Sequence, residues 1–321
     1  MKVAWLFPGQ GSQEVGMGRA LAEASPAARA VFARADAALL TAGMERPISE
    51  LCFDGPLEAL TLTAVTQPAL VTVSSAVVAA LRERLPDLGA PAFATGHSLG
   101  EYSALVAAGA LELEDAVRLC RLRGQAMQDA VSPGAGAMAA VMGLDAAGVL
   151  ALCADAAEGE VLGPANFNGP GQTVIAGTAA AVERARVLAG ARGGKAVPLK
   201  VSAPFHCALM RPAADRLAPA LADVTIHAPA FPVVANVDGA PNLDPGRVRD
   251  LLVRQIDAPV QWLKSIELIA AEGVTHALEI GPGKVLAGLV KRITKQITVL
   301  SVSDLESIDR AAVVLGGAAV A

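Results

Sequence analysis

Short apolar runs that stop at glycine and pass straight into long helical stretches constrain this chain more than any other feature. Val3 to Phe7 ends at Pro8-Gly9, and Ala92-Phe93-Ala94-Thr95-Gly96 leads into helical runs over Glu101 to Ala108 and Leu113 to Ala130. Helices are also expected over Arg19 to Ala42, broken near Ser25-Pro26, and over Gln67 to Leu85. Strands with no polar face are buried on both sides, and strands alternating with helices build a parallel sheet, so the expected class is α/β. Its core must come from Ala, Val and Leu, because aromatics are only 3% of the 321 residues and Tyr102 is the single tyrosine. At 53% hydrophobic and 18% charged, the composition is the reverse of a disordered chain's.

Between 131 and 202 the pattern changes. Ala137 to Leu144 reads as a strand, Asp145 to Ala157 as a helix with Asp145 as N-cap, and Val161 to Asn168 as a second strand. After Gly169-Pro170-Gly171 come a strand at Gln172 to Gly177, a helix to Ala191 capped by Thr178, and a strand at Lys195 to Val201. The order βαββαβ is that of a ferredoxin-like unit, set off by Ser132-Pro133-Gly134 and Ala203-Pro204 as an insert, residues 131–202, in a larger domain made of 1–130 and 203–321. From Pro212 the α/β pattern resumes. Strands are expected at Val233 to Val237 and Thr275 to Ile280, and helices at Gly246 to Gln255, Val260 to Glu272 and Val285 to Ile293.

A net charge of -5 argues against nucleic acid as a partner, since that affinity depends on Lys and Arg displacing counterions. Cys52, Cys120, Cys153 and Cys207 lie far apart with no CxxC pair, which indicates neither a zinc site nor a disulfide framework and fits a reducing cytoplasm. The apolar start is too short for a signal peptide, the apolar run from Ala311 to Ala321 is too short to cross a bilayer, and no other stretch is expected to span one.

Gly96-His97-Ser98-Leu99-Gly100 matches GxSxG, and it stands between a short strand and a helix, where a nucleophile elbow requires it. The alternative role for Ser98 is to cap the helix. A serine nucleophile needs a base, and four histidines are available. His97 lies in the elbow and is expected to order the turn. His206, in Ser202-Ala203-Pro204-Phe205-His206 just after the insert, is the better base, while His227 and His276 read as structural. The glycine loops at Gly9-Gln10-Gly11-Ser12-Gln13 and Gly281-Pro282-Gly283-Lys284 lack the spacing of a phosphate-binding loop, although the first can bring a backbone donor to the same sheet edge as Ser98.

Phe7 to Gln13, Gly96 to Leu111, Arg123-Gly124 with Met127-Gln128, Asn166 with Gly169 to Gln172, Ala203 to His206, Gln255 and Gly281-Pro282-Gly283 occur together and in order. As a set they resemble the malonyl-CoA:acyl carrier protein transacylase family. The resemblance implies an α/β-hydrolase-like large domain with the ferredoxin-like insert, and an [acyl-carrier-protein] S-malonyltransferase activity serving fatty-acid or polyketide synthesis. It implies malonyl-CoA and an acyl carrier protein as partners, with no metal and no bound cofactor. Ser98 would be acylated with His206 as its base, the backbone N–H groups of Gln10 and Leu99 would form the oxyanion hole, and the region of Gln255 would give His206 a main-chain carbonyl. Arg123 would bind the free carboxylate of the malonyl group, whereas on residue pattern alone it shares a helix with Arg118 and Arg121 and reads as part of a solvated face. His97, Asn166 and Phe205 complete the expected substrate site, with bulky Phe205 disfavouring a 2-methyl group. Cys207 reads as a packing residue. Lys284, Lys291, Arg292 and Lys295 are either a docking surface for an acidic carrier or an ordinary solvated face.

Overall fold

The computed structural model describes residues 1–316. The chain begins with β1 (Val3–Phe7), followed by α1 (Arg19–Ala24), α2 (Pro26–Thr41), α3 (Ile48–Asp54), α4 (Leu57–Thr61) and α5 (Thr63–Arg84). Then come β2 (Phe93–Gly96), α6 (Gly100–Ala107) and α7 (Leu113–Asp129). Residues of the insert form β3 (Gly136–Met142), α8 (Ala146–Ala157), β4 (Leu162–Gly169), β5 (Gln172–Thr178), α9 (Ala179–Ala191) and β6 (Lys195–Pro198). The return comprises α10 (Arg211–Asp223), β7 (Val233–Val234), β8 (Pro241–Asn242), α11 (Pro245–Gln255), α12 (Trp262–Ala271), β9 (His276–Ile280), α13 (Val285–Ile293), β10 (Thr298–Val302) and α14 (Leu305–Leu315).

These elements make a mixed α/β structure with two separate sheets. The larger has the order β10-β9-β1-β2-β7-β8 and is parallel except for the antiparallel pair β7 and β8. Alternation along β1 sends Trp5 and Phe7 into one core, shared with α2, α5 and α7, and Ala4 and Leu6 into another, shared with Trp262, Ile266 and Leu286. Both faces of the strand are therefore buried, as its unbroken apolar run demands. The pairing of Phe7 with Gly96 sets the carboxyl ends of β1 and β2 side by side, so the Gly9 loop and the GxSxG turn leave the sheet at one edge. Open α/β sheets bind ligands at that edge.

The second sheet has the order β4-β5-β3-β6, all antiparallel. Ala139, Val141 and Ile175 point toward α8 and α9, while Met138, Val174 and Ala176 point the other way, onto Cys207. Asp145 and Thr178 cap α8 and α9 as their positions indicate, accepting from Gly148 N–H at 2.7 Å and Ala181 N–H at 3.2 Å. An isolated parallel β-bridge links β4 to the larger domain: Phe167 N–H donates to Val260 C=O and Val260 N–H to Ala165 C=O, each at 2.9 Å.

The structure departs from the sequence expectations in places. α5 starts at Thr63, so Pro68 sits inside it and not in its first turn. By length and composition this helix is also apolar enough to cross a membrane, but Thr66, Gln67, Thr72, Ser74 and Ser75 interrupt its apolar run and most of it is buried against α2 and α7. β7 is two residues long because, past the Ala235 N–H bond to Ala240 C=O, the chain turns at Asn236, whose side chain goes to the elbow. The amphipathic α10, the edge strand β10 and the capping-box helix α14 were not anticipated. The apolar run from Ala311 closes α14, and its residues 317–321 lie outside the described residues.

Candidate active site

The GxSxG turn works by close approach. A Cβ on Gly96 would lie 2.0 Å from the carbonyl carbon of Gly100, and one on Gly100 would lie 2.3 Å from the carbonyl oxygen of Phe7. Only glycine lets α6 start so near the two strands. Ser98 takes a left-handed conformation, φ 53°, which for a non-glycine residue costs about 1–3 kcal/mol and persists only where neighbours enforce it. Asn236 is the enforcing neighbour. Its Oδ1 accepts from Ser98 N–H at 2.7 Å and its Nδ2 donates to Gly96 C=O at 2.7 Å.

His206 is also left-handed, φ 59°, and buried on the loop returning from the insert. Its Nδ1 lies 2.8 Å from the carbonyl oxygen of Gln255, and its Nε2 lies 2.8 Å from Ser98 Oγ. A carbonyl only accepts, so the ring proton sits on Nδ1 and the Nε2 lone pair faces the serine hydroxyl. Burial, reinforced by the nearby charge of Arg123, pushes the imidazole down to about 3 against the opposing pull of the Gln255 carbonyl. In the resting site His206 is neutral, the form a general base requires.

Arg123 is 1% exposed, which excludes the solvated face. Nη1 donates to Gln67 Oε1 at 2.7 Å, and Nη2 donates to Gln255 Oε1 at 2.9 Å and to Ser98 Oγ at 3.1 Å. Its Nε has no acceptor. Every group it touches is neutral, so the guanidinium is buried beside the serine without an anion in contact. Helical spacing carries the signal, because Ala116, Leu119, Cys120, Arg123 and Met127 share the buried stripe of α7. Arg118 and Arg121 lie off that stripe, the first paired with Asp115 at 2.7 Å and the second donating to the Ala42 and Gly43 carbonyls.

The Gly9 loop lies against the elbow so closely that a Cβ on Gly9 would stand 2.6 Å from the His97 carbonyl oxygen. Neither the Gln10 nor the Leu99 backbone N–H donates to a protein acceptor among the described residues. The Gln10 side chain donates to Thr63 Oγ1 at 3.3 Å. His97 turns away from the serine: its Nε2 meets Asn168 Oδ1 at 2.9 Å, its ring packs against Trp262, and burial lowers its pKa. Asn166 is buried at the bridge to Val260, and its side chain makes no hydrogen bond to Ser98, His206 or Arg123. Phe205 is half-buried where the return loop meets the insert's sheet. Cys207 is buried there too, its thiol pushed up to about 11 by burial and donating to Pro204 C=O at 3.1 Å, so it packs and does not react.

His227 is exposed, and among the described residues the His276 ring bonds to neighbouring Thr275, at 2.9 Å. Lys284, Lys291 and Lys295 are exposed around α13, and Arg292 donates to Gln172 of the insert. The Gly281 loop packs on Pro8 and Ser74, and Gly283 on Ser12, which sets Lys284 near the Gly9 loop. Sequence reasoning missed Gln67, Glu101, Asn168 and Asn236. Asn236 follows the carboxyl end of a strand beside the elbow, where a polar residue is worth attention; Glu101 looked like an ordinary acidic residue in a first helical turn.

A hydroxyl aligned with a neutral imidazole, free backbone donors and a buried cation, all at the carboxyl edge of a parallel sheet, define an enzyme of acyl transfer. Residues 4–314 match the family model described as acyl transferase domain. Over 302 residues the chain is 51% identical to the malonyl CoA-acyl carrier protein transacylase of Escherichia coli strain K12, covering 94% of this chain and 96% of that one. The structure of an acyl carrier protein S-malonyltransferase from Vibrio cholerae superposes with TM-score 0.93 at 48% identity, covering 97% of this chain and all (100%) of the other. A malonyl-transacylase solved in complex with its type II PKS acyl-carrier protein superposes with TM-score 0.91 at 45% identity, over 96% and 98% of the two chains. The chain belongs to the malonyl CoA-acyl carrier protein transacylases, a family of acyltransferases.

Proposed function

We propose that this acyltransferase moves a malonyl group from malonyl-CoA to the phosphopantetheine thiol of an acyl carrier protein through a malonyl-Ser98 intermediate. His206 Nε2 takes the Ser98 proton as Oγ attacks the thioester carbonyl, and the oxyanion is held by the Gln10 and Leu99 N–H groups. The C–S bond then breaks and the coenzyme A thiolate leaves with the proton from His206. In the second half the carrier's thiol gives its proton to His206 and attacks the malonyl ester; the bond to Ser98 Oγ breaks, and Oγ takes the proton back from His206. Ser98, His206 and the backbone donors supply each step, so the reading calls on no metal or bound cofactor.

The observation that carries this reading is Arg123: a buried guanidinium, its Nε unpartnered, 3.1 Å from the nucleophile. A terminal carboxylate supplies the missing anion and both lone pairs a fork can hold. The same charge disfavours a plain hydrolase reading, as does the carbonyl of Gln255 in the place a triad gives to a carboxylate. The sheet order and the βαββαβ connectivity support describing residues 1–130 with 203–321 as an α/β-hydrolase-like domain and 131–202 as a ferredoxin-like one. Four buried free cysteines suit a reducing cytoplasm. Exposed Lys284, Lys291 and Lys295 are proposed to meet the carrier's acidic surface. The test is mass spectrometry after mixing with malonyl-CoA: the reading expects an adduct of malonyl mass on Ser98 that a holo carrier discharges faster than water does, and an adduct elsewhere overturns it. Phe205 is proposed to disfavour a 2-methyl group, giving malonyl an advantage over methylmalonyl of about 10- to 200-fold. Equal loading of the two thioesters in competition would remove that role.

A further inference from the structure

Glu101 lies beneath the elbow with 2% of its surface exposed, and no Lys or Arg pairs with it among the described residues. Its Oε2 accepts two hydrogen bonds, from Asn236 N–H at 2.9 Å and from Gln255 Nε2 at 2.7 Å. Those two partners hold the rest of the site. Asn236 clamps the strained turn at Ser98, and Gln255 gives its backbone carbonyl to His206 and its side-chain oxygen to Arg123. The second proton of Gln255 Nε2 goes to Ser98 C=O at 2.9 Å, so the amide is fully used.

A carboxamide has one donor end and one accepting end. Here the donor end faces Glu101 Oε2 and the accepting end faces the guanidinium. Turning it over would set N–H against N–H at Arg123 and oxygen against oxygen at Glu101, so donor and acceptor matching holds a single orientation. Arg123 is thereby linked to the buried Glu101 side chain, whose pKa burial raises to about 7, through an amide and not by direct contact. A direct ion pair would occupy the fork; the relay holds the guanidinium in place and leaves it able to take another carboxylate.

We propose that Glu101 is a positioning residue for acyl selectivity, which through the Gln255 carboxamide keeps Arg123 in register with Ser98 while leaving it open to a substrate carboxylate. The inference rests on the reading that Arg123 receives the malonyl carboxylate. Its test is the ratio of malonyl to acetyl loading on Ser98, with kcat and KM for each thioester, in full-length Glu101→Ala, Glu101→Asp, Glu101→Gln and Arg123→Ala.

Glu101→Ala and Glu101→Asp, the second retracting the acceptor by one methylene, are expected to lower malonyl loading by about 10²-fold, the loss typical of an ångström-scale misplacement, and acetyl loading far less. Glu101→Gln keeps an oxygen able to accept both bonds and is expected to restore most of the ratio. Should the alanine variant fail to fold, the aspartate and glutamine variants carry the comparison. Equal losses for both acyl groups, or an unchanged ratio in Glu101→Asp, would overturn the proposal while Arg123→Ala still abolished malonyl preference. Persistence of that preference in Arg123→Ala would instead remove the reading of Arg123, and the role of Glu101 with it.

Discussion

The two sheets solve folding in opposite styles. In the insert, apolar residues alternate between two cores, the helix starts are capped by Asp145 and Thr178, and the one left-handed non-glycine residue, Glu158, is a helix C-cap. Its buried polar residues are Asn166 and Thr173. At the carboxyl edge of the larger sheet the rules of good packing are broken together: Ser98 and His206 are left-handed, and Glu101, Arg123, His206, Asn236 and Gln255 are buried within one network. Strain and buried charge are costly, so their concentration in one place marks where the molecule gives up stability for chemistry. The insert contributes walls and a bridge, through His97 with Asn168 and through Val260.

The contrast is easiest to break at Ser98. Ser98→Ala is expected to abolish the malonyl adduct, and His206→Ala to slow its formation by about 10²–10⁴-fold, the range for a lost general base; stopped-flow or quenched-flow loading reads both. An adduct surviving in Ser98→Ala would mean that the strain at the elbow serves something other than nucleophilic attack.

Next in size is Arg123→Leu, which should remove malonyl transfer while keeping or raising acetyl transfer. It should change Tm only slightly, because relief of a buried charge that lacks an anion is offset by leaving the buried Gln67 and Gln255 Oε1 atoms without a donor. A sharp drop in Tm would show that Arg123 is structural and would blur the distinction between the two regions.

The opposite pattern is expected in the insert. Leu152→Ala removes a fully buried side chain between α8 and the sheet and should cost about 2–5 kcal/mol of stability, seen as a lower denaturant midpoint. Ser98 loading measured well below the transition should change little. A loading defect as large as that of His206→Ala would make the insert part of the catalytic machinery.

The smallest effect concerns protonation. The charge of Arg123 adds to burial in holding His206 below its ordinary range. Removing a neighbouring positive charge makes the imidazolium easier to form, so the His206 pKa should rise in Arg123→Leu while burial keeps it below the ordinary value. Nitrogen-15 NMR of labelled histidine follows this directly, and a downward or absent shift would separate the two residues electrostatically. By the same sign, stability tied to neutral His206 is present above the unfolded value near 6.5 and is lost as pH falls toward about 3.

Much of this architecture can be read one stretch at a time. The strand ending at Gly96, the GxSxG turn, both helix caps of the insert and its βαββαβ order each depend on residues a few positions apart, and local backbone preferences act over that range. Even the burial of Arg123 was available in the helical spacing of α7. Reading it beside Arg118 and Arg121 as one charged face ignored that neighbours in sequence point to different sides of a helix.

What tertiary structure alone decided is the set of partnerships at the site. Ser98 and His206 are 108 residues apart, Arg123 and Gln255 are 132 apart, and Glu101 and Gln255 are 154 apart. The residue types determined that a hydroxyl, an imidazole and a guanidinium were present, because that chemistry belongs to each side chain. Which carbonyl fixes the tautomer of His206, which amide stands between Arg123 and Glu101, and which asparagine holds Ser98 in a left-handed turn follow from how helices and loops pack on the sheet edge. A hydrogen bond depends on fractions of an ångström, and no local propensity carries that information across a hundred residues of chain.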